Sequence, residues 1–180
     1  MLAEVTTYYL ETLSPAELRP RRVELPGLQI LKAELPSAEL QHFLYRSVGG
    51  DWYWYEKADW SYAQWLEYAQ NPALHTWVAY LKGTPAGYFQ LEVQPESNVE
   101  IAYFGLLPQF GGLGLGGHLL SVALEQAWKL EAKRVWVHTC SLDSPAALVN
   151  YQARGLRLYK TETCTLQIPD QTPGPWPRAR

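Results

Sequence analysis

The chain has little of what builds metal centres or disulfide scaffolds: 2 cysteines and 4 histidines in 180 residues. Cys140 and Cys164 form no CxxC pair, and His42, His75, His118 and His138 show no HxxxH spacing. That pattern excludes a disulfide framework and a zinc site, so no metal is expected. No run of about 18 apolar residues occurs, so no membrane-spanning helix and no membrane partner is expected. The opening MLAEVTTYYL lacks a basic stretch ahead of an apolar run. The reading is therefore no signal peptide and a cytoplasmic location. A cationic excess is also missing, since 15 Lys and Arg face 18 Asp and Glu for a net charge of −3. Nucleic-acid affinity rests on basic patches, so a neutral or cationic small molecule suits this chain better than DNA or RNA.

Apolar residues are plentiful at 47%, and aromatics reach 13%, many of them between Trp52 and Trp65. This length and composition support one core and one domain, assigned to residues 1–168, with 169–180 as a Pro-rich unpacked tail. No internal repeat is visible.

Val5 to Leu10 reads as a strand, and Leu28 to Leu35 as another after a loop carrying Arg19, Arg21 and Arg22 between prolines. Ser37 caps a helix that Gly49 and Gly50 end, and Asp59 or Ser61 starts a second helix to about Ala69. His75–Leu81 and Ala86–Val93 form a hairpin around Lys82-Gly83-Thr84-Pro85. Val99 to Leu106 is the next strand. Simple alternation puts Val99, Ile101, Tyr103 and Gly105 on one face and Glu100, Ala102, Phe104 and Leu106 on the other. Pro108 ends it. A glycine-rich loop and an amphipathic helix follow, then a strand Arg134–Thr139 and a helix from Ser144-Pro145 to Arg154, ended by Gly155. Leu156–Thr161 and Thr165–Ile168 read as two closing strands. This order gives an α+β fold with a mixed, mostly antiparallel sheet flanked by helices.

The loop Leu106-Leu107-Pro108-Gln109-Phe110-Gly111-Gly112-Leu113-Gly114-Leu115-Gly116-Gly117 lies between a strand and a helix. Glycines let backbone approach a ligand closely, and the first amides of a helix make an anion site. The ATP-type phosphate loop is excluded, because no Gly-Lys-Ser/Thr follows. Gly112, Gly114 and Gly117 match the dinucleotide pattern GxGxxG, but the acid expected about 20 residues on is missing.

The same loop resembles the coenzyme A loop of the GCN5-related N-acetyltransferases. Its pattern of proline, aromatic and spaced glycines falls on Pro108, Phe110, Gly111, Gly112, Gly114, Leu115 and Gly116, with Gly111 where the family carries Arg or Gln. A second motif agrees: Ser144-x-x-Ala147-x-x-x-Tyr151 followed by Gly155-Leu156, where the family has Asn and Phe at the first and last places. The resemblance spans roughly Thr76 to Thr161. It implies a splayed strand pair at the coenzyme site and transfer of an acetyl group from acetyl-CoA to a primary amine by direct attack. It further implies coenzyme contacts at Leu106, Leu107, Gly111, Gly112, Leu113, Gly114, Leu115, Gly116, Gly117 and Ser144, with the Leu106 and Leu107 amides polarising the thioester carbonyl.

Such transfer needs an amine that loses a proton and a thiolate that gains one. The resemblance gives the second role to Tyr151, against a packing role for an aromatic on an amphipathic helix. It gives the first to Glu100, with Glu92, His138 or a water chain as alternatives and a solvent-facing strand charge as the plain reading. Cys140 and His138 share a strand face, but their spacing suits ordinary packing. The resemblance further implies that Asp51, Trp52 and Trp54, with Tyr103 and His138, wall the acceptor site, where rings and a carboxylate could hold a cation. A packed aromatic cluster explains the same loop equally well. A small-molecule or peptide amine is the expected acceptor, and a homodimer stays open. The rivals are a non-catalytic acyl-CoA-binding or sensor module and a nucleotide-binding oxidoreductase domain.

Overall fold

In the computed structural model, which describes residues 1–176, seven strands and four α-helices follow one another along the described chain. They are β1 (Leu2–Thr12), β2 (Leu28–Ala33), α1 (Ala38–Gly49), α2 (Tyr62–Ala69), β3 (Leu74–Leu81), β4 (Thr84–Gln94), β5 (Asn98–Leu106), α3 (Leu115–Lys129), β6 (Arg134–Cys140), α4 (Pro145–Ala153) and β7 (Arg157–Gln167). Local chemistry sets several of these bounds. Ser37 accepts from the Leu40 amide to start α1, and Ser61 makes a reciprocal capping box with Gln64 to start α2. Lys82 and Gly83 both have positive φ, which joins β3 to β4 in a two-residue turn.

The strands form one sheet in the order β2-β3-β4-β5-β6-β1-β7. Every pairing is antiparallel except β5 with β6. The sheet is therefore mixed and mostly antiparallel, as expected. Adjacent β4 residues show how its faces divide. Phe89 and Leu91 pack into the main core with Leu119, Leu120, Ala123 and Leu124 of α3, whereas Tyr88 packs with Leu44 and Val48 of α1. Helices α3 and α4 thus cover one face, and α1 and α2 the other.

Two expectations about the chain ends are corrected. A single long β7, bonded to β1 along its length, replaces the two closing strands. The tail is not unpacked over its described part, 169–176: the Gly174 amide donates to Gly50 O, and Asp170 meets the Met1 ammonium at 2.8 Å. The last residues of the expected tail, 177–180, lie outside the described residues.

The feature that shapes the site is the parting of β5 from β6. They pair only from Asn98↔Arg134 to Glu100↔Trp136. Beyond that, β5 stays with β4 up to Leu106, and β6 stays with β1 up to Cys140. The expected splay is present, but it opens after Glu100 and owes nothing to Pro108. Its local cause is a bulge: Gln90 faces Tyr103 while Leu91 faces Ile101, so Ala102 is the extra residue. A bulge bends and twists its strand, which carries β5 away from β6. It also overturns the simple alternation, because Tyr103 and Gly105 move to the face that holds Glu100.

Candidate active site

The glycine loop begins at the end of β5. Leu107 N–H donates to Ala86 O at 2.9 Å, so this amide belongs to the β4 ladder and is not free to polarise a carbonyl. Leu106 lies opposite Gly87 in the preceding pair. In an antiparallel ladder its own N–H then points the other way, into the gap left by β6. A single helical turn over Pro108–Phe110 follows, and Gly112 (φ +80°) and Gly114 (φ +76°) adopt the left-handed conformation before α3 starts at Leu115. Gly111, Gly112 and Leu113 are exposed, and Leu115 is fully buried beneath them. Asn150 of α4 donates to Gly116 O at 3.2 Å, fixing α4 to the first turn of α3.

Two arginines stand at this helix start that the sequence reading left unassigned. A Cβ on Gly117 would lie 2.5 Å from Arg154 Nη1 and 2.7 Å from Arg21 Cδ, and one on Gly114 would lie 3.4 Å from Arg21 Nη2. The segment carrying Arg21 is laced to α3: Arg21 N donates to Ser121 Oγ, Val23 N to His118 Nδ1, and Arg22 pairs with Glu125. Burial and the neighbouring Arg21 charge lower the Arg154 pKa, and its Nε is buried without a hydrogen-bond partner. Two guanidinium groups at the positive end of a helix repel each other and the dipole alike, and an anion placed between them relieves both. The residues present therefore fit a polyphosphate, and the cations that Gly111 does not supply arrive from elsewhere in the chain.

Glu100 stands at the apex of the wedge, the last β5 residue paired with β6. Its side chain is about one-tenth exposed. One oxygen accepts from Gln94 Nε2 at 2.7 Å, and the other meets His138 Nδ1 at 3.1 Å. Gln94 in turn accepts from Trp136 Nε1 at 2.9 Å. A residue from each of β4, β5 and β6 thus clamps the point where the strands part. The hydrogen bond that His138 donates to Glu100 raises the pKa of this half-exposed imidazole, outweighing partial burial. Glu92, directly across from Glu100, has its pKa raised by burial and then by the Glu100 charge.

Tyr151 is buried in the main core, with its ring 6.1 Å from Phe104, on the part of β5 that has left β6. Burial raises its pKa, so the phenol keeps its proton at neutral pH. Ser144 is engaged locally: its Oγ accepts from Ala146 N and caps α4. Burial raises the Cys140 thiol as well, which agrees with the packing role read for it.

The expected acceptor wall is brought together in part. Trp54 and Tyr103 pack at 4.9 Å, and Trp54 Nε1 donates to Asp143 Oδ1 at 3.3 Å. Asp143 also accepts from Thr139 Oγ1 and Cys140 N, tying the aromatic loop to the end of β6. Gly49 is required beneath Trp54, because a Cβ there would lie 2.0 Å from the indole. Asp51 is exposed and stands outside this cluster, and Trp52 enters none of its ring pairs. The sequence reading missed Lys57, Tyr45, Trp60, Tyr68 and Asp143. Only the aromatic density around Lys57 signalled them.

The family model described as Acetyltransferase (GNAT) family matches residues 38–156. No curated protein matches the sequence. Among solved structures, a GCN5-related N-acetyltransferase from Kribbella flavida is 19% identical with a TM-score of 0.65, over 93% of this chain and 60% of that one. One from Sphaerobacter thermophilus is 14% identical with a TM-score of 0.67, over 89% and 50%. An aminoglycoside acetyltransferase from an uncultured soil metagenomic sample, in complex with sisomicin, is 13% identical with a TM-score of 0.60, over 71% and 88%. This chain thus spans only half to three-fifths of the length of the first two. The glycine loop, the wedge and the match over two-thirds of the residues agree: the chain belongs to the GNAT acetyltransferase family.

Proposed function

We propose that this protein is an N-acetyltransferase that moves an acetyl group from acetyl-CoA to a primary amine of a small-molecule or peptide acceptor. The observation that carries the reading is the wedge between β5 and β6, with Glu100 and His138 at its apex and an anion site of amides and two arginines at the glycine loop. Acetyl-CoA supplies an activated thioester. The α3 amides from Gly114 to Gly117, with Arg21 and Arg154, hold its phosphates. Leu106 N–H, turned into the wedge, polarises the carbonyl oxygen.

The amine nucleophile must be neutral. Glu100 and His138 take its proton, the imidazole as the atom-level acceptor and the carboxylate holding the ring in place. His138 must be deprotonated to accept, so the rate rises with pH through its raised pKa. Tyr151, kept protonated by burial, gives a proton to the departing sulfur. Attack is direct, with no covalent enzyme intermediate, in keeping with the raised Cys140 thiol.

Release of free thiol from acetyl-CoA, followed with a panel of primary amines, tests this reading. Acceptor-dependent release, with the mass of one acetyl group gained by the amine, is the expected result. Tight CoA binding with no release for any amine would leave a binding module instead.

A further inference from the structure

The ammonium of Lys57 sits inside a cluster of aromatic side chains on the sheet face that carries Glu100. Its Nζ lies 4.9 Å from the Trp60 ring centroid and 5.3 Å from that of Tyr68. It donates to Tyr103 Oη at 2.7 Å. The Tyr103 centroid is 5.1 Å away, so that contact runs through the phenol oxygen and not over the ring face. Among the described residues no carboxylate lies within ion-pair distance of this ammonium. Two aromatic rings and a hydroxyl dipole therefore stand in for a counter-ion, which is how cages for alkylammonium groups are built.

The rings of the cage are pinned by packing, while Lys57 enters it on a flexible side chain. Trp60 and Tyr68 pack on the buried Trp65 at 5.2 and 6.1 Å, and Tyr68 donates to Gln90 within a buried network of Gln41, Thr76 and Gln90. Tyr103 is fixed between Tyr45 and Trp54. Lys57 and Trp60 share the irregular segment between α1 and α2, but the Trp60 ring is held against Trp65 whereas the Lys57 ammonium sits at the end of a flexible stem. Burial lowers its pKa, with Glu56 and Glu92 pulling the other way.

We propose that this cage is a binding subsite for a cationic alkylammonium group of the acceptor, and that Lys57 is its resident occupant, displaced when the acceptor enters. The assignment of an acceptor rests on the transferase reading above; the cage itself does not. A cage favours a charged group, whereas the reacting amine must be neutral. The group it takes is thus a second ammonium, and the acceptor class is an aliphatic diamine or polyamine. The bulge at Ala102 puts Tyr103 on the same face as Glu100, two strand steps along, about 7 Å at the backbone. A few methylenes between the amines span that distance.

Tetramethylammonium is the probe, since it carries the charge and has no proton or lone pair to react. Lys57→Met keeps the stem and removes the ammonium. Titrated against tryptophan fluorescence at constant ionic strength, this variant is expected to bind tetramethylammonium about tenfold more tightly than wild type. Adding Trp60→Leu to the variant is expected to abolish the gain. In wild-type protein, saturating tetramethylammonium is expected to speed labelling of Lys57 by an amine-reactive acetylating reagent several-fold, read by peptide mass spectrometry. This arm decides the matter if Lys57→Met does not fold. Equal affinity in folded Lys57→Met and wild type, or unchanged Lys57 labelling, would overturn the proposal. If tetramethylammonium behaves as expected but no amine releases thiol from acetyl-CoA, the cage stands and the transferase reading fails. If transfer occurs, 1,5-diaminopentane is expected to show a KM at least tenfold below that of pentylamine, and equal KM values would overturn the diamine assignment.

Discussion

The glycine loop and the acceptor wall are built by opposite means. The loop works through main chain: Gly112 and Gly114 turn the backbone, and the first amides of α3 are left free to meet a ligand. The wall works through side chains drawn from distant segments, with Trp54 and Lys57 before α2, Tyr68 on it, Tyr103 on β5 and Asp143 after β6. A backbone device needs a fixed local sequence and so leaves a readable pattern. A side-chain device needs only convergence in space, which many sequences can supply. On the proposed transferase function, the difference separates a part suited to a common co-substrate from a part suited to a particular acceptor.

The largest effect is expected in the core beside the wedge, outside both regions. Tyr151→Phe removes one hydroxyl from a buried ring against Phe104 and leaves the volume intact. Turnover should fall by roughly 10²- to 10⁴-fold, the scale of a general acid, with CoA affinity unchanged in calorimetry. Equal turnover would make Tyr151 a packing residue and confine the chemistry to the wall.

A smaller effect is expected from Glu100→Gln, which acts on the wall alone. The Glu100 bond raises the His138 pKa, so the variant should bring it down toward the ordinary 6.5. The acidic limb of kcat/KM should move to lower pH with it, and an NMR titration of the imidazole should report the same shift. The sign for stability follows from the same pair. A raised folded-state pKa adds stability below the unfolded value near 6.5 and loses it as pH rises through the folded value. The wild-type advantage over the variant should therefore shrink above that range. A His138 titration unmoved by the substitution would separate the two groups functionally.

Much of the fold was legible because its signals are local. Ser37, Ser61 and Ser144 cap the helices expected of them, and Lys82-Gly83 makes the hairpin. The bulge at Ala102 was not, because Val99 to Leu106 is an unbroken apolar run around Glu100. Only the register against Gln90 and Leu91 on β4 shows where a residue is added. The misplaced faces of Tyr103 and Gly105 follow from that one residue. Arg21 was visible as part of a basic loop, but its use depends on contact with α3 about 100 residues away, fixed by Ser121 and His118. Ser144 illustrates the reverse case. It was read as a coenzyme contact from its motif position, and its hydroxyl serves the helix cap by accepting from Ala146 N.

The most direct measurement is a calorimetric titration of CoA into wild type, Gly114→Val and the Arg21→Ala/Arg154→Ala double variant, at two salt concentrations. Valine at φ +76° strains the N-cap of α3 and fills the space before its amides. The expected result is one CoA bound per wild-type chain and at least tenfold weaker binding in Gly114→Val. The double variant should bind more weakly and lose most of its salt dependence, because its two phosphate-facing charges are gone. Undiminished affinity in both variants, or no CoA binding by wild type, would contradict it.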